Sequence, residues 1–121
     1  MATGLLPDIA ALKILFARFG LLPSDHVVIV SAGTSAGDFC AAARVYWTLK
    51  IAGHKAMSIL DGGMLAWQAD SARALEAGAG ASAKVAPDYP VMLMPELRSE
   101  ADAVARAIER NDAFLLDTRA T

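Results

Sequence analysis

One stretch of this chain, residues 42–67, constrains the fold more than any other feature. It begins Ala-Ala-Arg-Val-Tyr-Trp-Thr-Leu-Lys-Ile-Ala-Gly-His and ends Ile-Leu-Asp-Gly-Gly-Met-Leu-Ala-Trp. The first part has the apolar composition of a packed helix, and Gly53 is placed to end it. A short strand follows, and Asp61 with the two glycines after it forms a turn that opens another helix. The stretch therefore predicts a helix–strand–helix unit.

Further elements are predicted on both sides of this unit from apolar spacing, glycine stops and β-branched runs. The predicted helices cover residues 7–19, 38–52, 64–77 and 99–110. The predicted strands cover residues 27–30, 56–60 and 113–116. Strands that alternate with helices indicate the α/β class, with a parallel sheet and right-handed crossovers.

Three local predictions refine this outline. The run Val-Val-Ile-Val at residues 27–30 suits a central parallel strand that is buried on both faces. Ser99 and Asp102 have the spacing of a capping box that opens the last helix. Residues 78–90, rich in alanine and glycine, have the low complexity of a linker.

Composition excludes several classes of function. The chain has 121 residues, 55% of them hydrophobic and 20% charged, which suits at most one domain with a substantial core. A net charge of −2 gives no electrostatic basis for binding nucleic acid or an anionic membrane. One cysteine permits no internal disulfide, and no residue spacing predicts a metal site or a cofactor. With neither a signal peptide nor an apolar run long enough to span a membrane, a cytoplasmic protein is expected.

The residues from 6 to 78, most sharply those from 27 to 67, resemble the rhodanese-like sulfurtransferases. The motifs that carry this resemblance are Ala-Ala-Arg-Val-Tyr-Trp, Gly-His, Leu-Asp-Gly-Gly and Ala-Trp. The resemblance implies a small parallel sheet flanked by helices. It also implies transfer of sulfur from thiosulfate or mercaptopyruvate to a thiophilic acceptor such as cyanide. The family uses a persulfide cysteine just after the strand that precedes the first helix of this unit, and Ser31 stands at that place.

Many members of this family contain two such domains in tandem, of which the first commonly lacks the nucleophile. Residues 113–119, which end in Asp117-Thr-Arg119, resemble the opening strand of a following domain. The resemblance thus implies an incomplete first domain at 1–78, a linker at 79–98, and the helix and opening strand of a second domain at 99–121. The chain is expected to be a fragment or an abbreviated relative that serves as the non-catalytic structural part. In this position Asp117 and Arg119 are expected to be structural.

Since Ser31 stands where the family has its cysteine, two other residues of this chain are considered as nucleophiles. Cys40 lies in an apolar stretch, where a small buried cysteine is the commoner state. Ser35 lies in Gly33-Thr-Ser-Ala-Gly37, which matches the Gly-x-Ser-x-Gly elbow of serine hydrolases between a strand and a helix. His54 is the only histidine after Ser35 and precedes any well-placed acid, so the remainder of a catalytic triad is poor.

The same loop is also a candidate for non-enzymatic anion binding. Backbone N–H groups at a helix N-terminus favour sulfate, phosphate or thiosulfate. The candidate residues are Gly33, Thr34, Ser35, Ala36 and Gly37. Asp38 would oppose an anion there, and a plain strand-to-helix turn is the alternative. The predicted ligand is at most a small anionic sulfur compound.

Other conspicuous residues have structural interpretations. Arg44 either pairs with a carboxylate at a domain boundary or lies on a solvated face. His54 is expected to help satisfy the helix C-terminus, and Asp61 to cap or bend the turn before Met64. Trp47 and Trp67 are expected to be core or domain-contact residues.

The absence of a matching first strand predicts an open edge in the sheet, which invites pairing. The apolar segment at residues 114–116 is suited to fill it, either within the same chain or from a partner chain. The second case would be a strand-swapped homodimer.

Overall fold

The computed structural model describes residues 5–80, 84–85 and 88–117. The helices and strands of this part of the chain are α1 (Ile9–Arg18), β1 (Val27–Ile29), α2 (Ala36–Ile51), β2 (Met57–Ile59), α3 (Gly63–Ala69), a 3-10 helix (Pro95–Leu97) and α4 (Ala101–Arg110). The predicted α/β class is confirmed. The first two predicted helices and the first two predicted strands are present, with ends displaced by a few residues.

Both ends of α2 are set by local side-chain and backbone chemistry. At its start, Ser35 and Asp38 form a reciprocal capping box. At its end, Gly53 adopts a φ of +88°, and the His54 N–H donates to the Leu49 carbonyl over 3.0 Å. This is the left-handed glycine termination that the Gly-His pair predicts. The backbone of His54, not its side chain, therefore satisfies the helix C-terminus.

The sheet in the described part of the chain has two parallel strands joined by α2 as the crossover. Val27 lies opposite Met57, and Ile29 lies opposite Ile59. The side chains of Val27 and Ile29 point to the same face and pack into the core. Val28 points to the opposite face and is 56% exposed. The prediction that β1 is buried on both faces is wrong, because α1 and α2 contribute their core residues to one face.

The core lies between α1, α2 and this face of the sheet, and it includes one residue from a distant segment. Its buried members are Leu12, Phe16, Ile29, Ala42, Leu49, Ala52 and Tyr89. Tyr89 packs edge-on against Phe16, with 5.1 Å between ring centroids and an interplanar angle of 80°. The chain after α3 therefore returns to the core.

That returning segment falls within the predicted 79–98 linker. Met92 and Met94 donate backbone N–H bonds of 3.2 and 2.8 Å to the carbonyls of Ala52 and Ile51. The indole Nε1 of Trp47 donates to the Leu97 carbonyl over 3.0 Å. These bonds attach residues 89–97 to the C-terminal half of α2, and residues 81–83 and 86–87 lie outside the described part.

Two predicted helix boundaries need correction. Helix α3 ends at Ala69 and not at residue 77, because the Asp70 carboxylate accepts from the Ala72 N–H over 3.1 Å and from Arg73 Nε over 3.0 Å. Such a turn competes with helix continuation. The predicted capping box before α4 is not formed among the described residues, since Glu100 is the N-cap and makes no side-chain capping bond.

The predicted third strand at 113–116 is also wrong for the described chain. Residues 114–117 have no regular secondary structure, and Phe114 is fully exposed while Leu116 is 88% exposed. The segment therefore does not fill a place in the sheet of its own chain. Thr118 and Arg119 of the Asp-x-Arg ending lie outside the described residues.

Among the described residues, no helix has the length and apolar character needed to cross a lipid bilayer.

Candidate functional site

The loop after β1 packs directly against the Asp-Gly-Gly turn after β2. The Met64 N–H donates to the Ser31 carbonyl over 2.8 Å, and the Leu65 N–H donates to the Ala32 carbonyl over 3.1 Å. The carboxyl ends of two parallel strands lie at one edge of the sheet, so both loops meet there. The structure thus brings Ser31 together with the start of α3.

Glycines permit this close approach. A Cβ on Gly33 would lie 2.1 Å from the Gly62 carbonyl oxygen. A Cβ on Gly63 would lie 2.5 Å from the Ser31 carbonyl oxygen and 2.8 Å from Ser31 Oγ. Both glycines also have positive φ, +84° and +60°, which disfavours any side chain. Close packing between the turn at residues 61–63 and the loop at residues 31–33 therefore requires glycine at positions 33 and 63.

Asp61 does not cap α3 as expected. The N-cap is Gly62, in the left-handed region at φ +68°, and it provides no side-chain capping bond. The Asp61 side chain is exposed. Its place in the turn is compatible with the predicted bend. The residues with positive φ in this turn are the two glycines, Gly62 and Gly63.

Ser31 is half-buried at the end of β1, at the position that the resemblance assigns to the sulfur-carrying cysteine. Its side-chain oxygen faces the α-carbon of Gly63, as the 2.8 Å approach of a hypothetical Cβ shows. A serine hydroxyl has no sulfur atom on which a persulfide could form, and its pKa lies far above that of a thiol. Ser31 therefore supplies no group for sulfur chemistry.

The carboxylate of Asp38 occupies the donors of the candidate anion-binding loop. Asp38 Oδ2 accepts from the Thr34 N–H over 2.9 Å and from the Ser35 N–H over 3.1 Å. The Thr34 hydroxyl donates to the same oxygen. These bonds, led by that from the Thr34 hydroxyl, lower the pKa of Asp38 below its ordinary value. An internal anion thus takes the bonds that an external one would need, in the way that the charge of Asp38 predicts.

The geometry does not favour Ser35 as a hydrolase nucleophile. Its Oγ accepts from the Asp38 N–H over 3.3 Å as part of the helix cap. His54 lies beyond the other end of the 16-residue α2, which corresponds to about 24 Å of helix. A catalytic histidine must lie within hydrogen-bond reach of its serine.

Cys40 lies in the second turn of α2 and is exposed, so the expectation that it is buried is wrong. Its neighbour Phe39 is exposed as well. This part of the helix is apolar on a face that the described residues leave open. The thiol is accessible, but it lies on the helix and not in the loop that follows β1.

Sequence reasoning missed a buried polar pair. The His54 side chain is 3% exposed, and its Nδ1 lies 2.7 Å from the Tyr89 hydroxyl oxygen. Its Nε2 lies 3.2 Å from the Ala56 carbonyl oxygen. The two residues are 35 positions apart and Tyr89 follows a low-complexity segment, so no local signal joins them. The pair ties the segment around Tyr89 to the turn between α2 and β2.

The two tryptophans are half-buried and neither is a member of the core, so the expectation of core residues is not met. Trp47 bridges α2 and the 3-10 helix, and the Arg44 guanidinium lies 4.9 Å from its ring centroid. Trp67 donates from Nε1 to the Ala74 carbonyl over 3.3 Å, and Arg73 lies over its ring at 4.5 Å. The pairing of Arg44 with a carboxylate stays a prediction.

A second feature missed from sequence is an open apolar cavity of about 840 Å³, here called the α1–α2 groove. Leu15, Phe16 and Phe19 of α1 line one side, and Val45 and Leu49 of α2 line the other. The remaining lining residues are Pro7, Leu21, Asp25, His26, Val27, Arg44 and Thr48. The groove lies beside the start of β1 and is separate from the Ser31 loop, none of whose residues line it.

The known proteins to which this chain is similar are sulfurtransferases, in agreement with the motifs. Human 3-mercaptopyruvate sulfurtransferase is 29% identical over 104 residues, which cover 86% of this chain and 33% of the human protein. Thiosulfate sulfurtransferase YnjE of Escherichia coli is 30% identical over 110 residues, 89% of this chain and 24% of that protein. A putative thiosulfate sulfurtransferase of Caenorhabditis elegans is 39% identical over 51 residues, 42% of this chain and 18% of that protein.

These likenesses support a rhodanese-like sulfurtransferase at the level of the family. No family model matches the chain. The aligned residues span between 18% and 33% of the length of these curated relatives. The parallel sheet with its α2 crossover is consistent with a rhodanese-like domain.

Proposed function

We propose that this chain is the non-catalytic, structural part of a rhodanese-family sulfurtransferase, corresponding to the first domain of a tandem pair. Its Ser31 loop keeps the scaffold of a sulfur-transfer site and lacks the group that accepts sulfur. Any ligand it takes at this loop is a small anionic sulfur compound. The reducing cytoplasm is its proposed location, in keeping with a chain whose one cysteine forms no internal disulfide.

Sulfur transfer of this kind requires a thiolate. The thiolate attacks the outer sulfur of thiosulfate, an S–S bond forms, and sulfite leaves with the electron pair of the bond that breaks. The enzyme persulfide then gives its outer sulfur to cyanide, which forms thiocyanate and restores the thiolate. Backbone N–H groups at a helix N-terminus assist by lowering the thiol pKa.

The observation that carries the proposal is the identity and setting of Ser31. Its loop is held by the Met64 bond to the Ser31 carbonyl and fitted to Gly63, yet its side chain ends in a hydroxyl. The N–H groups of Thr34 and Ser35, which could support a sulfur anion, are bonded to Asp38. A protonated hydroxyl and an internal carboxylate both oppose persulfide chemistry in this loop.

Cys40 is the alternative sulfur carrier that most needs testing, because it is exposed. A thiol on an exposed helix face has neither the loop N–H groups nor the enclosed site that would hold the sulfur donor. We therefore expect Cys40 to react with general thiol reagents and not to turn over thiosulfate.

The test is a sulfurtransferase assay of the purified chain with thiosulfate or mercaptopyruvate as donor and cyanide as acceptor. The expected result is no thiocyanate above the rate of a Cys40→Ser variant, and no protein mass increase of one sulfur atom after incubation with the donor. Turnover that survives purification and is lost in Cys40→Ser would overturn the proposal. Turnover retained in Cys40→Ser would also overturn it, since another group would then carry the sulfur.

A further inference from the structure

One buried side chain attaches the segment that returns to the core, residues 88–97, here called the strap. Among residues 88–97 of the described chain, Tyr89 alone is buried, and the other side chains are exposed or half-buried. Val91 packs partly against the core. The ion pair between Lys13 Nζ and Asp88 Oδ2, at 3.0 Å, lies at the surface and contributes little. Attachment of the strap therefore depends on Tyr89 more than on any other of its side chains.

The backbone bonds of the strap complete the C-terminus of α2. The Ala52 and Ile51 carbonyls, which accept from Met92 and Met94, belong to the end of a helix, where the last carbonyls have no partners within the helix. Met92 and Met94 are exposed, so water can replace these bonds once the strap moves. Segments held by few buried contacts open at a lower free energy than the whole fold. The strap can therefore detach while α1, α2 and the sheet stay folded.

The partner of the Tyr89 hydroxyl is the imidazole of His54, and histidine is the side chain that gains a charge between about pH 8 and pH 5. In the neutral ring one nitrogen donates and the other accepts, which suits the Ala56 carbonyl on one side and the hydroxyl on the other. In the protonated ring both nitrogens are donors, so the hydroxyl would have to turn and its hydrogen would lose its acceptor. The protonated ring would also place a charge in a site that is only 3% exposed.

The charged groups on the surrounding elements do not compensate for that charge. These groups are Lys13 and Arg18 of α1, Asp25 and His26 before β1, Arg44 and Lys50 in the C-terminal half of α2, Lys55 after it, and Asp88 and Glu96 of the strap. The cations outnumber the carboxylates, and Asp88 is already paired with Lys13. The charge of Asp25 reaches Tyr89, but Lys55, directly after His54, opposes a second positive charge there.

We propose that the strap is an acid-sensitive latch, in which protonation of His54 breaks its bond with Tyr89 and releases residues 88–97 from α2. The released state takes up the proton more readily than the attached state, so the strap is attached at neutral pH and is lost as pH falls. One proton changes the ratio of released to attached strap by at most about tenfold per pH unit. Release lengthens the connection between α3 and α4, of which the strap is a part. This inference does not rest on the proposed function, because the latch residues lie outside the Ser31 loop.

The test is backbone amide exchange of the unchanged protein, followed by NMR at about pH 7.5 and about pH 5.5 and corrected for the intrinsic rate at each pH. The protection of the Met92 and Met94 amides is expected to fall by roughly three- to tenfold at the lower pH. The Leu60 amide, which donates to the Ile29 carbonyl over 2.9 Å in the sheet, is expected to keep its protection. Unchanged protection of the two strap amides would overturn the proposal. An equal loss at Leu60 would also overturn it, because the whole fold would then be opening.

Variants assign the effect to one histidine, because the chain contains two, His26 and His54. His26→Gln is the matched control and is expected to keep the fall in protection, since His26 is exposed and lies 3.0 Å from Ser58 Oγ, away from the strap. His54→Gln keeps an amide donor and acceptor, gains no proton in this range, and is expected to abolish the fall. Loss of the effect in His26→Gln, or its retention in His54→Gln, would refute the assignment. If His54→Gln does not fold, His26→Gln alone decides, because His54 is then the one histidine left.

Discussion

Replacing Tyr89 with phenylalanine tests the buried polar pair that holds the returning segment on the core. The Ala56 carbonyl can only accept, so in the neutral imidazole of His54 the tautomer that satisfies it has the proton on Nε2. In that tautomer Nδ1 accepts from the Tyr89 hydroxyl over 2.7 Å. Burial, with a smaller contribution from the charge of Asp25, raises the pKa of Tyr89 above its ordinary value, so that the hydroxyl keeps the proton it donates.

The Tyr89→Phe variant keeps the aromatic ring and its edge-on contact with Phe16 but removes the donor. Nδ1 of His54, which is almost fully buried, is left without its partner. An unsatisfied buried polar group costs about 1–3 kcal/mol of the free energy of unfolding. With a urea dependence of about 1–3 kcal/mol per molar, the unfolding midpoint is expected to fall by roughly 1 M. The measurement is equilibrium urea unfolding followed by circular dichroism.

Tyr46→Phe is the matched control, because Tyr46 is half-buried and its ring faces Lys50 Nζ at 5.8 Å from the centroid. Its effect is expected within about 0.5 kcal/mol. Equal losses in the two variants would refute the reasoning. So would a nitrogen NMR spectrum of the unchanged protein with the His54 proton on Nδ1, since Tyr89 could not then donate to it.

Three further outcomes follow from the loops and from α2. Gly63→Ala is expected to cost more than about 1 kcal/mol in urea unfolding, since its Cβ would meet backbone at 2.5 Å and φ is positive, whereas Gly80→Ala, in open space, costs less. The lowered pKa of Asp38 contributes stability that is present above the ordinary aspartate pKa and lost as pH falls through the lowered one. Acid unfolding of Asp38→Asn is therefore expected to lack this component, and an identical pH profile would contradict it. Cys40 is expected to react with a thiol reagent in the native protein as fast as in urea, and protection in the native state would show that it is covered.

The features that sequence predicted correctly depend on short-range chemistry. Gly53 directly follows α2, so the end of that helix follows from a local signal, whereas the capping box of Ser35 and Asp38 at its start is not among the sequence predictions. The glycines of the Asp-Gly-Gly turn likewise indicate a tight backbone without any knowledge of the partner. The partner of this turn, the Ser31 loop, is known only from the structure, where the common edge of two parallel strands brings the two loops together.

The wrong predictions concern which surfaces are covered, which is a property of the whole chain. The apolar residues of α2 surround the helix, so periodicity could not tell exposed Phe39 and Cys40 from buried Ala42 and Leu49. The strand prediction at 113–116 used composition alone, and a strand also needs a neighbour to pair with. The contact between His54 and Tyr89 spans 35 positions and has no periodic signal.

The contrast between the scaffold and the chemistry of the Ser31 loop has a physical basis. The Met64 N–H bond and the nearest approach of Gly63 both involve the Ser31 carbonyl, which any residue at position 31 would supply, so packing of the glycine turn does not require a thiol. Sulfur transfer requires both the thiolate and free N–H groups to hold a negative sulfur. Here the side chain is a hydroxyl, and a carboxylate three residues after Ser35 already holds two of those N–H groups. A single Ser31→Cys change would restore the first requirement and leave the second unmet, because a thiolate in this loop would compete with Asp38 for the same donors. The glycine turn that resembles the family therefore constrains only the backbone of the loop. The reactivity of the loop depends on the side chains of Ser31 and Asp38.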